Sequence, residues 1–349
     1  MAVRQAYGAT VQRTFVLPAL EAATGQSEVT RATARVRTHK GEYLQGPVPL
    51  GPGPDSDYTI GVFSLLDDLN SAYVDVRLRD DPSAPPVGTS SPASITVQPN
   101  GWNDGEVLLV RAAVTETWRF LKQSVSCSYE VFGYHDIKVG AGSGSSSALV
   151  QAAILATAAE HGVRLVESEI LEIHGKVESG ADPLTQKLPV IVTTRRREPV
   201  VFLGEEMPDF RAVTWSAGPA VRTSEVNFDY KDEEFLMWRV RWASLGRAVR
   251  TGDAPRVARL AMKSASENQR FNPNADFGLL ETAVERFGAL GFAVAHTGTY
   301  HTALFAADTG NDVIEGYKHF VRSSTSDTSA PVKPENFSTR AAARTRYET

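Results

Sequence analysis

The pattern of apolar and polar positions along the chain predicts a mixture of strands and helices. RATARVRTHK, residues 31–40, alternates like a half-buried strand, and DYTIGVFSLL and SAYVDVRLRD are typical of two more strands. DGEVLLVRAAVTETWRFLKQ carries apolar residues at helical spacing, and its predicted N-cap is Asp104. The first part of the chain is therefore expected to contain strands followed by an amphipathic helix.

The pattern continues through the rest of the chain. Loop-forming residues cluster in 81–94, and an alternating strand around Cys127 follows the first helix. The run from Ser145 to Glu160 and the segment ESEILEIHGKVE predict two further helices. The later predicted elements are strands in PVIVTT, PVVFL and FRAVTWSAG, helices near 231–250, 254–267 and 276–287, strands in GFAVAHTG and TALFAAD, and a short helix near 312–321. Strands and helices do not alternate strictly, so we expect an α+β fold.

The organisation of the chain predicts two domains that divide near residues 185–200. Residues 1–30 show no clear period and are interpreted as a variable N-terminal extension. The first domain is expected at residues 31–190 and the second at 191–322. Residues 323–349 are rich in serine, threonine, proline and charge, which predicts a disordered tail.

Composition narrows the class of partner. The chain has 349 residues, of which 42% are apolar, and its net charge is −5. An acidic chain is a poor partner for nucleic acid or an anionic membrane, so we expect a small-molecule substrate and neither of those partners. No apolar run approaches the roughly 18 residues of a membrane span, and the N-terminus lacks the apolar core of a signal peptide. We therefore expect a cytoplasmic monomer or homodimer.

Cysteine and histidine usage limits the chemistry further. Cys127 is the one cysteine of the chain, which excludes an internal disulfide and a thiolate cluster. It is interpreted as a buried strand residue rather than a nucleophile. The seven histidines show no H-x-x-x-H spacing, so zinc is not expected.

A glycine- and serine-rich segment precedes the alanine-rich helix, in VGAGSGSSSALVQAAILATAAEHG, residues 139–162. The start of a helix has unpaired N–H groups and a positive dipole end, and glycines let its backbone approach a ligand closely. This combination is typical of a phosphate site, although a linker or an ordinary capped helix remains an alternative. The Walker pattern G-x-x-x-x-G-K-[ST] is absent, and a dinucleotide-binding fingerprint fits poorly.

The segment IKVGAGSGSSSAL resembles the central motif of the GHMP kinases (galactose, homoserine, mevalonate and phosphomevalonate kinases), which is roughly P-x-x-x-G-L-G-S-S-A. Lys138 replaces the proline of that motif, and Ser143 replaces its leucine. The resemblance implies a two-domain fold with a ribosomal protein S5 domain 2-like N-terminal, ATP-binding domain and a ferredoxin-like C-terminal domain. It also implies ATP and Mg2+ as cofactors, with the nucleotide between the domains. The implied phosphate-binding residues are Gly140, Ala141, Gly142, Ser143, Gly144, Ser145, Ser146 and Ser147.

Phosphoryl transfer also needs a metal site, because the transferred group carries negative charge. HGKVESGADPLTQ is similar to the family segment that supplies a magnesium-binding glutamate and, in some members, an aspartate base. The resemblance implies Glu178 as the metal-binding and catalytic carboxylate, together with Ser145 or Ser146, and Asp182 in a catalytic or structural role. Rival metal ligands, on the preceding helix, are Glu169 and Glu172.

Three further segments resemble the L-threonine kinases of cobamide nucleotide-loop synthesis. RTHKGEYLQGPV is similar to their G-E-L-x-Q-G motif, GFAVAHTGTYHTALF to their H-S-G-T motif, and SASENQRFNP to an S-A-x-x-N-Q segment. The histidine of the H-T-G-T segment, His296, is interpreted as an orienting or core residue. The implied substrate-binding residues are Glu42, Gln45, Arg222, Asn268, Thr297, Gly298 and Thr299.

One departure bears on the acceptor. The threonine kinases tend to have V-D-T where this chain has AVRTSEVNF, so Arg222 replaces an aspartate. An arginine near the acceptor would repel an ammonium and attract a carboxylate or phosphate. The sequence therefore leaves three hypotheses open: an ATP-dependent L-threonine kinase, a kinase of the same fold for homoserine or another hydroxylated metabolite, and a non-catalytic nucleotide-sensing protein.

Overall fold

The computed structural model describes residues 31–49, 58–79, 92, 94–122, 127–135, 137, 140–178, 184, 190–193, 199–203, 206–219, 221, 226–325, 332–339 and 347–348. The strands are β1 Ala32–Pro49, β2 Tyr58–Arg79, β3 Ser94–Asn100, β4 Ser128–His135, β5 Val190–Thr193, β6 Pro199–Phe202, β7 Phe210–Ser216, β8 Gly291–Val294, β9 Tyr300–Ala306, β10 Glu335–Ser338 and β11 Tyr347–Glu348. The helices are α1 Asp104–Phe120, α2 Ser145–Glu160, α3 Glu167–Val177, α4 Asp232–Arg250, α5 Ala254–Asn268, α6 Phe277–Phe287 and α7 Asn311–Ser324.

The strands of the described residues pair into one sheet in the order β10-β7-β9-β8-β1-β2-β4-β3. The pair β3–β4 is parallel, and the other neighbours along this path are antiparallel. Off the path, β11 pairs with β1, while β5 pairs with both β2 and β6. The mixed sheet with helices confirms the expected α+β class. The assignment of S5-like and ferredoxin-like domains, with their boundaries, stays a prediction.

Strand β1 is irregular where it crosses the middle of the sheet. Its register with β2 shifts between Arg37 and Leu44, and Glu42 alone pairs with Val294 of β8. Gly41 has a φ of 102°, and a Cβ there would lie 2.8 Å from the Val294 carbonyl carbon. We call residues 37–44 the β1 bulge. Because an irregular strand turns its side chains away from simple alternation, this segment directs polar side chains into the interior.

Three local expectations were wrong in detail. The two strands predicted in DYTIGVFSLL and SAYVDVRLRD form one strand, β2, and β1 pairs with both parts of it. Strand β3 was not predicted, and its parallel pairing with β4 explains why a short segment is strand-like. The N-cap of α1 is Asn103 rather than Asp104, because Asn103 Oδ1 accepts from Glu106 N at 3.0 Å while Glu106 Oε2 accepts from Asn103 N at 2.9 Å.

The predicted disordered tail also needs correction where the structure describes it. Helix α7 continues to Ser324, and β10 pairs antiparallel with β7. Phe337 of β10 is 6% exposed and packs in the same apolar cluster as Phe210, so burial of an aromatic ring stabilises this strand. The predicted extension at residues 1–30 lies outside the described residues.

Apolar clusters lie on both sides of the β1 bulge. One packs α1, α2 and α3 against β1, β2 and β4, and includes Cys127, which is 5% exposed as expected for a buried strand cysteine. Burial raises the pKa of the Cys127 thiol. Two more clusters pack α4 and α5, and α6 and α7, against the β7–β9 half of the sheet. Helix α2 is buried continuously from Ser147 to Ala158, while Gly144, Ser145 and Ser146 at its start are partly exposed.

The end of β4 is fixed by a close aromatic contact that yields a test of the fold. A Cβ on Gly133 would overlap the Trp102 ring, which is 8% exposed. We expect Gly133→Ala to lower the free energy of unfolding by about 1–3 kcal/mol, because the ring must move out of a packed core. Denaturant titration monitored by tryptophan fluorescence measures this.

Gly175 is the matched control, because a Cβ there meets no atom within 4 Å and the residue lies inside helix α3. Gly175→Ala should leave stability unchanged or raise it by up to about 1 kcal/mol. Equal effects of the two substitutions would contradict the packing described for Trp102.

Candidate active site

Three segments that are far apart in sequence meet beside the start of α2. They are the glycine loop, residues 140–144, the β1 bulge, and the HTGT turn, residues 296–299. His39 N donates to Ser143 O at 3.3 Å, and Thr299 N donates to Ala141 O at 2.9 Å. The glycine loop is therefore hydrogen-bonded to both of the other segments.

The glycine loop and the HTGT turn approach each other through their backbones. Gly142 has a φ of 76°, and a Cβ there would lie 2.7 Å from the Gly298 Cα. A Cβ on Gly298 would overlap the carbonyl of Ala141, which is fully buried. Glycine is required on both sides of this contact. The glycine-rich segment is thus a packed loop, and the linker alternative was wrong.

The first turn of α2 has unpaired hydrogen-bond donors and no acidic residue, which suits an anion. Gly144 is its N-cap and makes no side-chain capping bond, and the first turn carries no acidic residue. Ser143 is 2% exposed, and its buried Oγ has no hydrogen-bond partner among the described residues. Backbone N–H groups at the start of a helix lack internal partners, so this turn offers several donors close together.

A carboxylate lies against these donors. Ser146 Oγ donates to Glu178 Oε1 at 2.6 Å, and Ser147 Oγ donates to Glu178 Oε2 at 3.3 Å. His174 Nε2 lies 3.2 Å from the same Oε2, and the Glu178 side chain is 21% exposed. Glu178 takes this position because it ends α3 with an extended backbone. A partly exposed carboxylate beside serine hydroxyls is a suitable set of hard oxygen ligands for a small divalent cation.

The rival carboxylates point elsewhere. Glu169 Oε2 accepts from Val166 N at 2.8 Å and so caps α3. Glu172 pairs with Lys176 at 3.0 Å on the exposed face of the same helix. The described residues contain no group of three or more His, Cys, Asp and Glu side chains placed to hold a metal. Asp182 and Arg222 lie outside the described residues.

Glu42, predicted to contact the substrate, is engaged inside the protein. It is 4% exposed, and its Oε2 accepts from His296 N at 2.8 Å and lies 2.9 Å from His296 Nδ1. His39 Nδ1 lies 3.8 Å from the other oxygen, Oε1. The carboxylate therefore ties the β1 bulge to the HTGT turn.

The other predicted acceptor-side residues also support the HTGT turn. Asn268 Nδ2 donates to His296 O at 3.4 Å. Gln45 is 6% exposed, and its backbone N donates to Ser264 Oγ at 3.2 Å. Thr297 is half-buried in the turn itself. The structure thus brings these residues together, but it places Glu42 and Asn268 behind the turn.

Sequence reasoning missed two amides that hold Gly298. Its carbonyl accepts from Asn272 Nδ2 at 3.0 Å and from Asn274 Nδ2 at 3.1 Å. Asn274 is in turn hydrogen-bonded to Gln269: its backbone N donates to Gln269 Oε1 at 2.8 Å, and its Oδ1 accepts from Gln269 Nε2 at 2.9 Å. The amide-rich segment that follows α5 was a visible signal, although nothing in it indicated the carbonyl that it binds.

Thr299 and His301 complete the support of the turn. Thr299 O accepts from His301 Nδ1 at 3.0 Å, and Thr299 Oγ1 lies 2.7 Å from Ser216 Oγ. Burial lowers the pKa of His301 to about 4, so its ring is neutral near pH 7 and Nδ1 carries the proton. The ring stacks on Trp215 with a centroid separation of 5.3 Å.

A buried lysine lies near the glycine loop and was also missed. Lys40 is fully buried, and its ammonium lies 4.1 Å from the centroid of the Tyr300 ring. Tyr300 N donates to Ala141 O at 3.3 Å, so the ring and the loop are neighbours. The lysine places a positive charge on the interior side of the β1 bulge.

Comparison with known proteins agrees with this geometry. Residues 109–186 match the family model described as the GHMP kinases N terminal domain. That segment includes the glycine loop, the first turn of α2, and Glu178. No curated protein has a significantly similar sequence. No helix of the described residues is long and apolar enough to cross a membrane.

Several solved structures share the fold. Homoserine kinase from Cytophaga hutchinsonii superposes with a TM-score of 0.61 at 13% identity, covering 91% of this chain and 96% of that one. L. major mevalonate kinase, in complex with R-mevalonate, gives 0.56 at 15% identity and covers 90% and 96%. Methanococcus jannaschii mevalonate kinase gives 0.55 at 12% identity and covers 90% and 98%. The chain therefore has the fold of these kinases, and its residues 109–186 match the N-terminal domain model of the GHMP kinases.

Proposed function

We propose that the protein is an ATP-dependent kinase that phosphorylates the hydroxyl of a small amino-acid-like acceptor, with L-threonine as the first candidate. The observation that carries this proposal is the Ser146–Glu178 contact at the start of α2, which has no side-chain cap. The matching N-terminal domain model supports a phosphotransferase in general terms.

The glycine loop and α2 are suited to hold the phosphates of ATP. Gly140, Gly142 and Gly144 all have left-handed backbones, which turn the loop around the helix start. The N–H groups of the first turn and the unpaired Ser143 hydroxyl supply hydrogen bonds to phosphate oxygens. Gly144, Ser145 and Ser146 are partly exposed, so a ligand can reach these donors.

Ser146 and Glu178 fit a magnesium ion. A hydroxyl and a carboxylate already in contact provide two oxygen ligands, and phosphate oxygens and water supply the others. When bound, the ion neutralises negative charge on the phosphates during transfer. His174 and Ser147 hold the second oxygen of Glu178 and so fix the direction of its carboxylate. The protein contributes mainly by positioning and charge neutralisation.

The acceptor is expected beside the HTGT turn, which packs directly on the glycine loop. Asp182 is proposed to orient or deprotonate the acceptor hydroxyl, and Arg222 to contact its polar groups. The motif resemblance favours L-threonine, giving O-phospho-L-threonine and ADP. Arg222 favours homoserine or another hydroxylated metabolite as the second candidate.

A turnover screen tests the proposal directly. We expect magnesium-dependent ADP formation that rises with one acceptor from a panel of L-threonine, L-serine, L-homoserine, other hydroxy amino acids and sugars. Product analysis by mass spectrometry should show one added phosphoryl group. ATP binding without acceptor-dependent turnover across the panel would instead favour a nucleotide-sensing protein.

Glu178→Gln tests the metal assignment. The amide keeps the shape and accepts from Ser146, but it lacks the charge that binds a cation. We expect kcat to fall by about 100-fold or more, while the free energy of unfolding changes by less than about 1 kcal/mol. Glu172→Gln is the matched control on the same helix, because Glu172 is exposed and pairs only with Lys176 among the described residues. Similar kcat values for both variants would show that Glu178 is not the metal ligand.

Ser146→Ala and Ser145→Ala separate the two candidate serines. Of these two serines, Ser146 is the one whose hydroxyl donates to Glu178, so its loss removes a proposed metal ligand and one of the bonds that orient the carboxylate. We expect Ser146→Ala to raise the magnesium concentration needed for half-maximal rate by about tenfold and to lower kcat by about 10- to 100-fold. Ser145→Ala should change both by less than about threefold. The reverse ranking would assign the metal to Ser145.

A further inference from the structure

A buried hydrogen-bond chain joins three distant parts of the protein behind the HTGT turn. His296 Nδ1 lies 2.9 Å from Glu42 Oε2, and His296 Nε2 lies 3.0 Å from Ser264 Oγ. All three residues are at most 4% exposed. The chain links the β1 bulge, helix α5 and the turn between β8 and β9, which pack together in the interior.

The partners fix the proton on the imidazole ring. A carboxylate only accepts hydrogen bonds, so Nδ1 carries the proton that faces Glu42. Nε2 of the neutral ring then accepts from the Ser264 hydroxyl. Ser264 Oγ also receives the Gln45 N–H at 3.2 Å, and the other acceptor within its reach, Gln45 O, is farther away, at 3.5 Å against 3.0 Å for Nε2. These contacts hold His296 in one orientation and favour the tautomer with the proton on Nδ1.

The Oε2 atom of Glu42 is committed to the interior of the protein. It accepts from His296 N and lies 2.9 Å from His296 Nδ1, whereas Oε1 lies 3.8 Å from His39 Nδ1, beyond hydrogen-bond distance. The residue is 4% exposed, so a ligand that engaged Oε2 would break the hydrogen-bond chain. A buried acceptor that loses its donors is costly, so displacement by a substrate is unfavourable.

The order serine, histidine, carboxylate does not make Ser264 a nucleophile. Ser264 lies within α5 at 1% exposure, with its Oγ enclosed by His296 and Gln45. A nucleophile needs access to its substrate. The hydrogen-bond chain instead connects elements that pack together.

We propose that Glu42 is a positioning residue for the acceptor site. Through His296 and Ser264 it holds the HTGT turn in place, and it does not bind the ammonium group of the acceptor. The kinetic part of this proposal rests on the proposed function. Two carbonyl groups of the turn are occupied from behind, His296 O by Asn268 and Gly298 O by Asn272 and Asn274.

The turn keeps one backbone N–H available for a ligand. Thr297 is half-buried, and its N–H meets no acceptor among the described residues. A free N–H beside a positively charged helix start suits an anionic group, such as the carboxylate of the acceptor. The substrate class that follows is a hydroxyl compound that carries a carboxylate.

Glu42→Gln and Glu42→Ala separate positioning from recognition of charge. Glutamine keeps an oxygen that accepts both His296 donors, whereas alanine removes it. We expect Glu42→Gln to lower kcat/KM by less than about tenfold, with the acceptor KM within about threefold of the unmodified protein. Glu42→Ala should lower kcat/KM by about 100-fold, mainly through kcat. If Glu42 binds an ammonium, both variants will instead raise the KM of an amino-acid acceptor alike, by about 10- to 150-fold.

Substitutions at the other members of the chain keep the test decisive if Glu42→Ala does not fold. His296→Asn places an amide N–H where Nδ1 lies and keeps the bond to Glu42, while His296→Ala loses both bonds. Ser264→Ala removes only the bond to Nε2. If Glu42 acts by positioning, kcat/KM should fall more in His296→Ala than in His296→Asn, and it should fall least in Ser264→Ala. Equal losses at His296→Asn and His296→Ala would contradict it.

A spectroscopic measurement is independent of any enzymatic activity. In protein labelled with nitrogen-15 at histidine, the His296 ring, assigned by its loss in His296→Asn, should show a protonated Nδ1 and an unprotonated Nε2 near pH 7. Glu42→Gln should preserve this pattern, and Ser264→Ala should move only the Nε2 resonance. A protonated Nε2 would overturn the chain. A correct tautomer in a protein that phosphorylates none of the panel would leave the chain intact and refute the proposed kinase activity alone.

Discussion

The backbone contact between the glycine loop and the HTGT turn is the constraint on which the site depends. Gly142 and Gly298 approach so closely that neither position accepts a side chain, and Thr299 N donates to Ala141 O across the contact. The first turn of α2 is thereby fixed next to the turn where the acceptor is expected. Two substrates of a phosphoryl transfer must lie close together, and this contact brings their proposed sites together.

Polar groups buried behind the site maintain that contact. Glu42, His296 and Ser264 form a continuous chain, while Asn272 and Asn274 share the carbonyl of Gly298. Buried polar groups are stable only when they are hydrogen-bonded, so the network favours one arrangement of the turn over alternatives. Rigidity of this kind suits an enzyme whose catalysis depends on positioning.

The local parts of the site could be predicted from the sequence. The glycines, the start of α2 at Ser145 and the end of α3 near Glu178 follow from composition and helical spacing. The choice among Glu178, Glu169 and Glu172 could not be made, because it depends on which face of α3 meets α2. The role of Glu42 was also out of reach, since its partner His296 lies 254 residues further along the chain. The burial of β10 likewise depends on a distant strand, β7.

The central claim is that the start of α2 binds a nucleotide's phosphates and that Ser146 and Glu178 bind the accompanying metal. A crystal structure of the protein with magnesium and a non-hydrolysable ATP analogue tests this most directly. The account predicts phosphate oxygens within hydrogen-bond distance of the backbone N–H groups of residues 144–147, and the ion bound by Ser146 Oγ and a Glu178 oxygen. A nucleotide bound elsewhere, with this turn free of phosphate, would contradict the account.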